Sequence, residues 1–218
     1  MKALVKLGTP LVAATAAVGL LAGSASAATT TVRRDGPAGA PYDGQYQILN
    51  VGDLTFAGTG FTASCSGADL RGTMTSSGSG TLDSAAVSGC TSNLGTPAVS
   101  FRNLPYTDGV LAYGPSGDYD GTLTFTDPDL EIQASFGSIS CVYGFDAEHT
   151  SLTFEVRNSD NPANSTGQLA GTMNGVSLGL KSGSFLCPTD VTANGTGKAM
   201  GKVAPGDAAY GQKLHITA

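Results

Sequence analysis

The chain has 218 residues, among them 31 glycines, 10 prolines, 4 cysteines and no tryptophan, and carries a formal net charge of −6. Apolar residues make up 40% and charged residues only 13%, which excludes the high-charge, low-hydrophobicity pattern of a disordered chain. The acidic balance argues against a nucleic-acid partner, whose phosphates call for a basic surface.

The first 27 residues predict an export signal. Lys2 and Lys6 precede an apolar stretch, Leu11 to Leu21, that is interrupted only by Thr15 and Gly19, and Ala25-Ser26-Ala27 supplies a small-residue cleavage pattern. As a helix that stretch would rise about 16 Å, roughly half the hydrocarbon thickness of a bilayer. Cleavage after Ala27 is therefore expected, giving a secreted, extracellular protein. Loss of Lys2 and Lys6 takes the net charge to −8, and no later segment reads as a membrane span.

Residues 28–45 are polar, contain Pro37 and Pro41, and read as a flexible leader or an edge strand. A single β-domain is expected over 46–200. Within it Val99 and Phe101 alternate with polar neighbours, Leu123 and Phe125 alternate with threonines, Leu130, Ile132 and Ala134 with Glu131, Gln133 and Ser135, and Leu152, Phe154 and Val156 with polar residues. Such period-2 alternation predicts antiparallel strands with one face on a core and one in water. No window after residue 27 shows the stripe of an amphipathic helix. Turn signals fall at 76–80, 92–97, 114–118, 127–128, 159–167 and Asn194-Gly195, which delimit about ten to twelve strands. An all-β sandwich or flattened barrel follows, with the sandwich preferred. Residues 201–218 read as a tail or, through Lys213 to Thr217, a last strand.

Four cysteines in an exported chain predict two disulfides. Of the three possible pairings, Cys65–Cys90 and Cys141–Cys187 are favoured because each pair brackets a self-contained run of strand-like sequence. Leu70 to Met74 and Leu169 to Met173 also form a faint internal repeat, each leading to a cysteine.

Groups able to carry chemistry are few. His149, in a polar turn, and His215 are the two histidines available as general bases, and no G-x-S-x-G elbow marks a nucleophilic serine. Asp127, Asp129 and Glu131 occur at spacing two, with Asp118 and Asp120 just upstream. Asp118, Asp120, Asp127 and Asp129 are weak calcium candidates, since clustered loop oxygens suit that ion, and the carboxylates from Asp118 to Glu131 are the candidates for a hydrolase acid pair. Asp127, beside Pro128, reads first as a turn former. No cofactor is expected. Seven tyrosines offer material for a carbohydrate or apolar-ligand surface, and Tyr106 is the candidate ligand-binding residue. Asn164-Ser165-Thr166 and Asn194-Gly195-Thr196 match the glycosylation sequon and are read as turns.

Taken in order, Ala63-Ser64-Cys65, Val87-Ser88-Gly89-Cys90-Thr91, Asn103-Leu104-Pro105-Tyr106, Cys141-Val142-Tyr143 and Leu186-Cys187-Pro188 resemble the small secreted all-β proteins of high-GC Gram-positive bacteria, over roughly residues 46–200. The pattern is more faintly similar to the Pseudomonas alkane-oxidation activator family, extracellular proteins linked to surfaces and matrix. Tyr106 stands where the first family usually has tryptophan. The resemblance implies a location and a fold and carries over no catalytic residue. The expectation is a non-catalytic extracellular module, structural or ligand-binding, whose partner is a cell-wall glycan, matrix or an apolar surface. The alternatives are a secreted hydrolase using the carboxylates named above, and an extracellular protease inhibitor presenting a turn such as 92–97.

Overall fold

The computed structural model describes residues 29–218; the expected signal peptide and its cleavage point lie outside the described residues. Two short strands, β1 (Thr31–Arg34) and β14 (Leu214–Thr217), pair as a separate two-stranded sheet. All other strands belong to one antiparallel sheet. They are β2 (Gly44–Gly58), β3 (Phe61–Met74), β4 (Ser79–Leu82), β5 (Ser84–Ser92), β6 (Ala98–Arg102) and β7 (Tyr106–Ser116), then β8 (Tyr119–Phe125), β9 (Glu131–Phe136), β10 (Ile139–Gly144), β11 (Leu152–Arg157), β12 (Leu169–Gly183) and β13 (Asp190–Gly201). No helix occurs among the described residues, and none is long and apolar enough to cross a membrane.

The large sheet closes on itself twice. Its order is β10-β9-β6-β5-β3-β2-β13-β12-β11-β8-β7-β4, and β10 also pairs with β12 while β3 also pairs with β4. Two eight-stranded circuits result, and they share the wall β3-β2-β13-β12. The outer half of that wall is closed by β5, β6, β9 and β10, the inner half by β4, β7, β8 and β11. Closed edges make the molecule a flattened barrel, the second of the two forms expected, and remove the open hydrogen-bonding edge of a sandwich.

The shared strands bend where the two halves meet. Register shifts fall between Leu49 and Leu54, between Met173 and Val176, and between Asn194 and Thr196, so the bulges lie at one level across the wall. Gly52 and Gly175 take left-handed backbone there, with φ of 72° and 70°, a conformation costly to any residue with a Cβ. Two asparagines satisfy the backbone that the bulges unpair. Asn50 donates to the Ser66 carbonyl at 2.9 Å and accepts from the Ala68 N–H at 2.7 Å, and Asn194 accepts from the Gly175 N–H at 2.8 Å. The turn expected at Asn194-Gly195 is thus a bulge inside a continuous strand. The same local chemistry serves either purpose, and only pairing on both sides of β13 distinguishes them.

The two disulfides are those expected. Cys65 and Cys90 face each other on β3 and β5, and Cys141 on β10 holds Cys187 in the β12–β13 loop. Closing loops of 25 and 46 residues, they contribute about 3.5 and about 4 kcal/mol in the chain-entropy model. Their different placements, a cross-strand pair and a loop staple, do not suit a duplicated unit. Strand structure also extends beyond 46–200 at both ends. Val32 on β1 and Ile216 on β14 are fully buried with Tyr42, Tyr46 and Leu214 in a core cluster that fills one end of the barrel.

Candidate functional site

The carboxylates do not converge. β8 separates Asp118 and Asp120 at one end from Asp127 and Asp129 at the other. Asp118 pairs with Arg157 at 3.1 Å. Asp120 accepts from the Asn158 N–H at 2.7 Å and from the Asn161 side chain at 2.9 Å. Asp127 is buried in the β8–β9 connection and accepts from the N–H groups of Thr107 and Asp129 at 2.9 and 3.0 Å. It is a turn former, and the spacing of Asp127, Asp129 and Glu131 does not place them on one strand because β9 begins only at Glu131. Among the described residues no three ligating groups come together for a metal, which corrects the calcium candidates; the four aspartates stand instead as two pairs at the two ends of β8.

Tyr106 is corrected too. It is fully buried, and its hydroxyl lies 2.6 Å from the Arg102 carbonyl and 2.9 Å from that of Glu131. It ties β7 to the start of β9 and offers no surface to a ligand. Burial raises its pKa, despite hydrogen bonds that favour the ionised form. Asn164 is likewise occupied, donating to the carbonyls of Arg157, Asn158 and Gln168, so it shapes its turn as expected. His149 pairs with Asp146 at 2.9 Å on the surface, where the N–H groups of His149 and Glu148 hold the Asp146 carboxyl below its ordinary pKa. His215 is buried on β14, 3.8 Å from Asp160. The turn at 92–97 is tight: Ser92 Oγ donates to the Gly95 carbonyl at 2.6 Å, and Leu94 stands exposed on it.

What the fold does assemble is a hollow. The alternating strands send Phe56, Val99, Phe101, Ile132, Ala134, Phe154, Met173 and Val176 inward, and together with their neighbours they surround a cavity of about 110 Å³ whose lining is apolar throughout. Several of these inward side chains are only half-buried, because they border the space instead of filling it. Eight strands enclose an interior just wide enough for side chains to fill or for one small ligand. Here small residues take inner positions among the large ones: Ala63 on β3, Ala134 on β9 and Ala193 on β13. Tyr46 and Tyr143 contribute only ring surface. The Tyr46 hydroxyl is spent on the Thr81 carbonyl at 2.7 Å, and burial, with the nearby Asp190 charge, pushes the Tyr143 pKa up to about 12. A second apolar space of about 40 Å³ lies toward the other end, separated by Tyr46, Ile48, Leu123 and Phe125, which border both.

Periodicity could identify the inward residues but not the hollow, since an alternating strand reads alike whether its inner face is packed or bare. The alanines at inner positions were the available signal. Also unread in the sequence was Phe185, which is 95% exposed at the tip of the β12–β13 loop; an aromatic two residues before a disulfide cysteine was its mark. No family model, curated protein or solved structure matches this chain.

Proposed function

We propose that this chain is an exported, non-catalytic β-barrel protein that holds a small apolar molecule in its lumen. The observation that carries the proposal is the cavity of about 110 Å³ with a wholly apolar lining. An apolar cavity of about 150 Å³ stays dry and accepts benzene, so this one suits a molecule of about that size or a short alkyl chain. A lumen with no polar anchor discriminates by size and hydrophobicity, not by hydrogen bonding. Two disulfides and closed sheet edges fit a carrier that must survive outside a cell. The expected partners narrow accordingly, from glycan, matrix or apolar surface to an apolar molecule.

Thermal unfolding in the presence of benzene or pentane tests the proposal. At a hundredfold excess over Kd, binding stabilises by about 2.7 kcal/mol, a Tm rise of roughly 5–10 °C for a domain of this size. Ala134→Leu, which places a larger side chain in the lumen, abolishes the rise while keeping the fold. A flat response to both hydrocarbons, or an equal rise in Ala134→Leu, refutes the proposal. A rise with N-acetylglucosamine instead would restore the glycan expectation.

A further inference from the structure

Four connections meet at one end of the barrel. Asn93, after β5, donates to the Gly60 carbonyl and accepts from the Thr62 N–H, at 2.9 and 3.0 Å, which joins the β5–β6 turn to the β2–β3 turn. The Phe61 ring packs edge-on against Phe136, with centroids 5.4 Å apart, which adds the β9–β10 turn. The Cys141–Cys187 disulfide adds the β12–β13 loop. Residues 57–62, 91–98, 135–141 and 182–189, which make up this end, contain no charged residue. The flanking charges sit below it. Lys181 turns away to donate to the Phe145 carbonyl at 2.9 Å, and Asp190 opens β13.

The same end carries three of the large apolar residues that the fold leaves exposed: Phe185 at 95%, and Leu186 and Leu94 at 53% each. They stand on stiff supports. Cys187 N–H donates to the Ser184 carbonyl at 2.9 Å, Leu186 N–H to Ser184 Oγ at 3.3 Å, and the disulfide fixes the loop to β10. Rigid presentation of apolar side chains lowers the ordering cost of binding. An uncharged tip enters a bilayer interface without stripping water from any ion, whereas basic residues that would seek anionic headgroups are missing from it. The tip is also the roof of the lumen, because Phe61 and Pro97 belong to these turns and line the cavity.

We infer that this end docks on a zwitterionic lipid bilayer, inserting Phe185, Leu186 and Leu94 at the headgroup boundary. The docked lumen faces the phase in which an apolar molecule dissolves; this loading role rests on the cargo proposed above, whereas docking stands on the tip alone.

Flotation of the disulfide-intact protein with phosphatidylcholine vesicles tests it. The protein floats with the vesicles, and Phe185→Ser with Leu186→Ser weakens binding at least about tenfold. Val110→Ser, at another exposed apolar position, leaves it unchanged, and adding phosphatidylglycerol does not strengthen it. Failure of the wild type to float, equal flotation of the double variant, or binding that requires the anionic lipid overturns docking. So does a concentration-dependent dimer that Phe185→Ser abolishes, which would make a second copy the occupant. Hydrocarbon stabilisation without flotation removes the docking inference and spares the cargo proposal. Flotation without stabilisation does the reverse.

Discussion

Single side chains do much of the joining here. Tyr106 shows how a residue type suited to binding is turned to structure. Its ring fills the core while its hydroxyl reaches the carbonyls of Arg102 and Glu131 and accepts from the Glu131 N–H at 3.2 Å. Tyr106→Phe keeps the packing and strands buried polar backbone, so it should cost about 1–3 kcal/mol, measured as a lower denaturation midpoint with an unchanged m-value. Asn50, Asn194 and Asn164 act similarly on bulges and a turn. Residue identity announced a polar side chain at each of these positions. It did not announce the partner, because the partner lies on another strand or across a loop.

Among the elements, the four long strands set the shape and the short ones close it. Alternation in β6, β8, β9 and β11 was legible: Phe125, Leu130, Leu152 and Val156 are buried where the period-2 pattern put them inside. The chain ends read either as loose segments or as edge strands, and the structure takes the strand form at both. Residues 28–45 and 201–218 are poor in apolar runs, yet β1 and β14 pair with each other. Asn158 fastens β14 from the barrel, donating to the Ile216 carbonyl at 3.0 Å and accepting from its N–H at 2.8 Å. The two segments become core by meeting, a pairing of residues 180 to 186 positions apart that no local window registers. Ile216→Ala should therefore lower stability by about 2–5 kcal/mol, as for a core position, read from chemical denaturation. A loss below about 0.5 kcal/mol, the level of a surface change, would show that the pair is peripheral after all.

Considered as a whole, the molecule has an interior that responds to alkali. Tyr42, Tyr46, Tyr106 and Tyr143 all have pKa values raised above 10.0, in each case chiefly by burial. Because the folded state holds these protons more tightly than the unfolded chain, their contribution is full below about pH 10 and is lost as pH rises from there through the folded pKa values. Ionisation of the four, followed by absorbance near 295 nm, should coincide with loss of the circular dichroism of the fold; ionisation that precedes unfolding would contradict it. Composition, alternation and cysteine parity were enough to indicate an all-β chain with two local disulfides, because strand pleat and short loop closure are properties of neighbouring residues. Tertiary structure alone decided that the sheet closes twice, that the carboxylates lie at opposite ends of β8, that Tyr106 is inside, and that four uncharged turns meet around Phe185. Each of these depends on which distant strands pair, and pairing is selected by the energy of the closed barrel as a whole.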